Sequence, residues 1–377
     1  MRINDYDICI ITTIHEPFDA RIYRRELTLL IKAGYSIALI APWPKPNIQI
    51  PNLTFRSLKY PKNRAMRIIH ALKIFYMALT IRARSFLFHD LDFLPFGYLL
   101  KKLKKVPIVY DCHENYPEEI LEGKEWIPKP LRKPLAEIVR IVENFVVKRI
   151  DYVIAVVPYQ VRRFNSLGAK CILIRNFTDL RIMENLSHES NNVVYIGSIS
   201  INYGADLLID IARELKKRNC DIKLIIADRF GADRKLREYF IDIIKKESLP
   251  IIIEPSVPPQ KIDKILERGS IGLLIAKNTK SKDLALPMKL FEYMAAGMPI
   301  VAANLEVTKD IMGTALCGIV VGKNEAKYYV DAIIRIMNDA NLYNLYRANG
   351  FRAINYLYNW QNEFDRIVKL FKNVLTT

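Results

Sequence analysis

The stretch ALPMKLFEYMAAGMPIVAAN, residues 285–304, sets one lysine and one glutamate, Lys289 and Glu292, among apolar residues between a helix start and a helix stop. These two side chains are the first candidates for chemistry: an ammonium that can meet an anion, and a carboxylate with two acceptor oxygens. Pro287 fits the first helical position, where its missing N–H costs nothing, Gly297 fits the left-handed cap, and Pro299 forbids continuation. At about 100° per residue, Lys289, Glu292, Tyr293 and Ala296 share one face, and Leu290, Phe291 and Met294 form the opposite apolar stripe. One side then serves the core and the other a ligand. Taken alone, a lysine and a glutamate three apart are an ordinary solvated pair, worth roughly a few tenths of a kcal/mol.

The run from Pro287, P-x-K-x-x-E-Y-M-A-A-G-x-P-I-V-A, resembles the nucleotide-sugar signature of glycosyltransferase family 4. The resemblance implies that Glu292 holds the donor's ribose hydroxyls, a role that suits a carboxylate because it can take both vicinal hydroxyls as charge-assisted hydrogen bonds. The family's usual form has a second glutamate eight residues earlier, where this chain has Leu284 with Asp283 beside it, so a variant donor site is expected. The family also places an arginine and a lysine in the first loop of its second domain. Here GSISINYG has Ser198 after Gly197 and Tyr203 before Gly204. A departing diphosphate needs cations, and Lys289, Arg229 and Lys277 are the substitutes in that order, with Lys280 and Lys282 read as solvated. The donor-binding set is therefore Lys289, Glu292, Pro287, Arg229, Lys277 and Gly197.

YDCHENYPEE, residues 110–119, resembles a family segment whose histidine approaches the donor sugar. That catalytic role maps to His113, with Glu114 to orient the imidazole or receive the acceptor's hydroxyl; a lone histidine after a strand is otherwise more often structural. IRNFTD, residues 174–179, is similar to the family's I-P-N-G-V-D at the end of its first domain. In HEPFDAR, His15 to Phe18 stand where the family usually has a glycine pair, Asp19 reads as a helix cap and Arg21 as a group facing the cleft. Asp90 and Asp92 spell D-x-D, a metal-binding pattern in a different glycosyltransferase architecture, and are read here as coincidence; no metal and no cofactor is expected.

Short apolar runs alternate with helical stretches throughout. DICIITTI, SIALIAP, SFLFHDL, PIVYDCHE and DYVIAVV read as buried strands, and Gly34 caps the helix RIYRRELTLLIKAGY. The pattern lapses after Asp179 and restarts with NVVYIGSIS, DIKLIIAD, PIIIEPSV and SIGLLIA. Alternation of this kind predicts parallel sheets with helices on both faces. The fold class is α/β: GT-B, two Rossmann-like doubly wound domains facing across a cleft, with every motif above just after a strand. The boundaries are a first, acceptor-binding domain at 1–180, a polar linker at 181–192, a donor-binding domain at 193–354, and a helix at 355–377 that in similar proteins crosses back to the first domain. That helix carries Phe364, Ile367, Val368 and Phe371 along one stripe.

A chain of 377 residues, 51% hydrophobic and 26% charged, fits two folded domains. It has no run of eighteen apolar residues, and its N-terminus lacks the layout of a signal peptide. The five cysteines form no C-x-x-C, which reads as a reduced, cytoplasmic protein without a structural metal. Of the net +17, between Arg56 and Lys105 twelve Lys or Arg against two acids give +10 in fifty residues. Arg64, Arg67, Lys73, Arg82 and Arg84 are set among apolar residues in one basic amphipathic stretch, and Lys101, Lys102, Lys104 and Lys105 follow in GYLLKKLKK. Such a surface suits an anionic membrane leaflet, at roughly 1 kcal/mol per cation near the lipid. No nucleic-acid-binding signature is present.

These readings converge on a retaining glycosyltransferase at the cytoplasmic face of the cell membrane. It moves a sugar from a nucleotide-diphosphate donor to a lipid-linked glycan acceptor in cell-surface polysaccharide assembly. A non-catalytic GT-B protein that binds membrane and glycan-assembly partners and a nucleotide-sugar epimerase are the alternatives.

Overall fold

The computed structural model describes the chain except residues 1–4, 16–21, 23–25, 43–48, 61–65, 123–125, 176, 178–181, 185, 187, 189, 232, 259–260, 278, 280–282 and 377, and the side chain at 202. It separates into two compact units, Met1–Asn176 with Trp360–Thr377, and Phe177–Asn359.

In the first unit seven parallel strands lie in the order β3-β2-β1-β4-β5-β6-β7. They are β1 (Tyr6–Ile11), β2 (Ile37–Ala41), β3 (Leu53–Ser57), β4 (Ala83–Phe88), β5 (Ile108–Cys112), β6 (Tyr152–Ala155) and β7 (Cys171–Leu173). The chain winds one way from β1 to β3 and the other way from β4 on, so the crevice of a doubly wound sheet opens between the carboxyl ends of β1 and β4. Alternation along each strand fixes what covers each face. Among the helices of this unit are α1 (Thr28–Lys32) and α4 (Tyr116–Glu122), and Cys9, Ile11, Phe86, Phe88, Ile108 and Tyr110 pack beneath α2 (Arg67–Thr80), α3 (Leu94–Lys104) and α5 (Lys129–Val147). Ile8, Ile10, Leu87 and Val109 pack against Ile367, Leu370, Phe371 and Val374 of the final helix, Trp360–Thr376. Its buried Glu363 accepts from the Arg175 N–H at 3.1 Å, and Arg84 donates to the Leu375 carbonyl at 2.8 Å.

The second unit repeats the design with six parallel strands in the order β10-β9-β8-β11-β12-β13. They are β8 (Val193–Tyr195), β9 (Leu224–Ala227), β10 (Ile251–Glu254), β11 (Ile271–Leu274), β12 (Ile300–Ala302) and β13 (Gly318–Val320). Its winding reverses between β8 and β11. The described part of the segment read as a linker is bonded into this unit. Met183 donates its N–H to the Ala295 carbonyl, and the two ring nitrogens of His188 lie 2.8 and 2.7 Å from the carbonyls of Gly269 and Ala296. Polar composition therefore marks a strap here rather than a free tether.

Candidate functional site

In the second unit, Lys289 and Glu292 stand on the helix Met288–Ala295, beyond the carboxyl ends of β8 and β11. Pro287 is the residue before the first helical turn, extended at φ −82° and ψ 94°, one position earlier than expected. Gly297 has φ +66°, and the N–H groups of Gly297 and Met298 bond back to Met294 and Tyr293, closing the helix through a left-handed residue. The facial reading needs one correction. Tyr293 and Ala296 are fully buried, leaving Lys289 and Glu292 as the half-buried pair. Tyr293 is buried because its hydroxyl is fully used. It accepts from the Ile196 N–H at 3.2 Å and lies 3.1 and 3.0 Å from the carbonyls of Val194 and Leu273, bridging the central strands. The ring fits only because Gly272 lacks a side chain, since a Cβ there would collide with it.

Lys289 reaches across the turn after β8. Its Nζ lies 4.3 Å from the centroid of the Tyr195 ring, and a β-carbon on Gly197 would collide with that ammonium. The Tyr195 hydroxyl donates to the Ser198 carbonyl at 2.8 Å, and the Ile199 N–H donates to the Arg229 carbonyl at 3.0 Å, so the loops after β8 and β9 are held together. Burial pushes the Glu292 carboxyl above its ordinary value, while the charges of Arg229 and Lys289 pull it down. Glu292, Lys289, Arg229 and Gly197 are thus brought to one place. Lys277 stands at the end of β11 and pairs with Asp206, in the first turn of the helix Ala205–Lys217, at 3.4 Å.

The position of the missing glutamate and its acidic neighbour are both tied into the fold. Leu284 is buried in the apolar interior, and Asp283 accepts from the Glu306 N–H, fixing its loop to the start of the helix Glu306–Ala315. Lys280 and Lys282 lie outside the described residues.

The first unit holds a second cluster at its own switch point, where the loops after β1, β4 and β5 converge. His113 follows β5, its ring 5.3 Å from that of His15 and 6.3 Å from that of His89. His89 is wholly buried, with Nδ1 at 3.0 Å from Asp111 and Nε2 at 3.2 Å from Glu26. Burial would lower the imidazole pKa, but Glu26 and Asp111 outweigh it and the net direction is up. Asp90 accepts from the Thr12 hydroxyl at 2.8 Å and the Thr13 N–H at 2.6 Å. Burial would raise its carboxyl, yet His15, Thr13 and His89 bring it down to about 2. The loop carrying His113 and Glu114 is fixed from below: Gln160 donates to the Glu114 carbonyl at 3.0 Å, and the Cys112 thiol lies 3.3 Å from the same oxygen. Cys112 also faces the buried Glu143 of α5 at 3.6 Å, and Glu143 pairs with Arg163 at 2.7 Å.

Two features here escaped the sequence reading. Asp90 is a buried anchor for the first loop, and His89 is clamped between two carboxylates. Asp92 goes elsewhere, taking two hydrogen bonds from Arg67 at 2.8 and 2.7 Å, so the D-x-D residues do not act as a pair. Among the described residues His89, Asp111 and His113 could bring ligand atoms within 4.8 Å of one another. Both His89 nitrogens face carboxylates, Asp111 and Glu26. A histidine at the end of each neighbouring strand, His15, His89 and His113, was the signal in the sequence.

The basic segment divides. Four of its cations have internal work: Arg67 with Asp92, Arg84 with Asp7 and the Leu375 carbonyl, Lys101 with Asp151 at 2.9 Å, and Lys104 with the Ile81 carbonyl at 2.8 Å. Lys73, Arg82, Lys102 and Lys105 are exposed. Arg64, like Asp19 and Arg21, lies outside the described residues. Among the described residues no helix is long and apolar enough to cross a membrane.

Two family models divide the chain between them. Residues 20–181 match Glycosyltransferase Family 4, and residues 176–353 match Glycosyl transferases group 1. No curated protein sequence matches. Among solved structures, sucrose-phosphate synthase from Thermosynechococcus elongatus is similar with a TM-score of 0.76 at 15% identity, covering 98% of this chain and 99% of that one. HepE from Anabaena, solved with UDP and glucose, has a TM-score of 0.69 at 13% identity, covering 98% and 100%. The catalytic domain of starch synthase IV from Arabidopsis thaliana, bound to ADP and acarbose, has a TM-score of 0.68 at 10% identity, covering 100% of both chains. At these identities the likeness is one of fold.

Proposed function

Because the chain belongs to the GT-B glycosyltransferases of the family 4 type, we propose that it transfers a sugar, with retention, from a nucleotide-diphosphate donor to a lipid-linked glycan acceptor of cell-surface polysaccharide assembly. The observation that carries the donor half is the meeting of Glu292, Lys289, Arg229 and Gly197 beyond β8 and β11. Glu292 takes the ribose hydroxyls, Lys289 and Arg229 face the diphosphate, and Gly197 leaves the space that the ammonium occupies. Similar folds have been solved with UDP, UDP-glucose and ADP, which supports a donor of this class.

Catalysis on this reading is orientation plus stabilisation of charge on the departing diphosphate, supplied by side chains and without metal or cofactor. The leaving oxygen helps deprotonate the acceptor hydroxyl on the same face. His113 lies against the sugar, and Glu114 orients it or receives the acceptor's proton. The first unit receives the acceptor, and its exposed cations, Lys73, Arg82, Lys102 and Lys105, draw it to the cytoplasmic leaflet.

The test is incubation with a panel of radiolabelled nucleotide sugars and a membrane extract, alongside a thermal-shift panel of the same donors. Turnover of one donor, abolished by Glu292→Ala together with its thermal stabilisation, is the expected result. Vesicle binding with no donor turnover and no nucleotide binding would overturn it.

A further inference from the structure

The helices α2, α3 and α5 cover the same face of the first sheet, and their outward sides therefore form one continuous surface. That surface carries an unusual amount of apolar side chain. Ile68 and Tyr76 of α2, Leu103 of α3, and Ile138, Ile141 and Phe145 of α5 are all exposed, Ile68 at 71% and Leu103 at 62%. On α5 the stripe runs at helical spacing along the side opposite the buried Glu143 and Val146. A soluble monomer rarely leaves contiguous apolar area of this kind to water.

Charge decides what can cover it. Lys73, Lys102, Lys133 and Lys148 are exposed on or beside these helices, whereas Glu137 is the single exposed acid on them among the described residues, and Arg140 already bonds it. A second copy docked face to face would bring like charges together. An anionic lipid leaflet supplies both missing partners, phosphates for the lysines and an acyl boundary for the apolar stripe.

We propose that the outer face of α2, α3 and α5 is a lipid-inserting surface, with Ile138, Ile141 and Phe145 entering the boundary between headgroups and acyl chains of an anionic leaflet. This rests on the peripheral-membrane reading above but moves the centre of contact to α5 and changes its nature from electrostatic docking to insertion.

The experiment is sedimentation of the full chain with vesicles of phosphatidylcholine containing phosphatidylglycerol, at about 0.1 M and about 1 M salt, the Debye length at the higher salt being only about 3 Å. Insertion predicts that a measurable fraction stays bound at high salt. It also predicts that Ile138→Asp with Ile141→Asp lowers this salt-resistant partition by about tenfold or more, with melting temperature and donor-induced thermal shift unchanged. A fluorophore on Ile141→Cys should shift to the blue on binding. If the double variant binds like the wild type, or the wild type binds only at low salt, insertion fails while docking by charge survives. If the wild type binds no vesicle, both readings fail. A lipid-free dimer that the same double variant abolishes would make a second copy the occupant and overturn the proposal.

Discussion

The ammonium of Lys289 rests 4.3 Å from the centre of the Tyr195 ring, over the one residue of the following turn, Gly197, that has no side chain to obstruct it. The cation is held by an aromatic face, an arrangement that leaves its donors directed away from the ring. Gly197→Ala should displace it. The expected outcome is donor binding weakened by about tenfold, or roughly 1.4 kcal/mol, checked by calorimetric titration with the donor that the panel identifies, together with a lower melting temperature, because the same β-carbon would meet the ring of the buried Tyr195.

Tyr293→Phe tests the other side of the same helix. The substitution keeps the ring and removes the hydroxyl that joins Ile196, Val194 and Leu273. Loss of a satisfied buried bridge should cost about 1–3 kcal/mol of stability, read as a lower urea midpoint at constant slope.

The cluster in the first unit sets a pH window. Asp90 has a folded value of about 2, below its ordinary 3.8, so it contributes stability above pH 4 that is lost as pH falls from 4 through 2. His89 is shifted upward from 6.5, so its contribution is complete below that value and fades as pH rises through the folded one. Melting temperature against pH should therefore decline at both ends. His89→Gln should flatten the alkaline limb and, by leaving Glu26 and Asp111 without their shared cation, cost about 3–5 kcal/mol.

Glu143→Ala probes the support of the loop that carries His113 and Glu114, to which the proposed function gives catalysis. Arg163 would lose its carboxylate and Cys112 its neighbour. Turnover should fall several-fold with the affinity for the free nucleoside diphosphate unchanged, because the groups proposed for ribose and diphosphate lie in the other unit. A variant that alters nucleoside-diphosphate affinity instead would contradict the assignment of this loop to the acceptor and sugar side.

Much of the fold was legible because the strands are short apolar runs with helical stretches between them. The runs that were missed, Leu53–Ser57, Cys171–Leu173 and Gly318–Val320, form the edges of their sheets. Edge strands bury less, so their sequences alternate weakly. The donor helix was legible from Pro287, Gly297 and Pro299, but Tyr293 was misplaced because a tyrosine buried by three backbone partners looks the same in sequence as one facing a ligand. The ion pairs were invisible for a different reason. Arg67 with Asp92, Lys101 with Asp151, and Arg84 with Asp7 join residues 25 to 77 positions apart. Counting charges located the basic segment and could not say which cations the fold keeps for itself.

The final helix completes the first unit, not the second. Residues 177–359 are thus an insertion in a domain whose remaining piece, Trp360–Thr377, follows them in the chain. During translation the second unit has its full sequence while Ile8, Ile10, Leu87 and Val109 still lack the cover of Ile367 and Phe371. The later-encoded unit is complete in sequence before the earlier one, whose sheet face stays apolar and uncovered until Ile367 and Phe371 emerge, which makes that interval the one in which this chain most needs protection from aggregation.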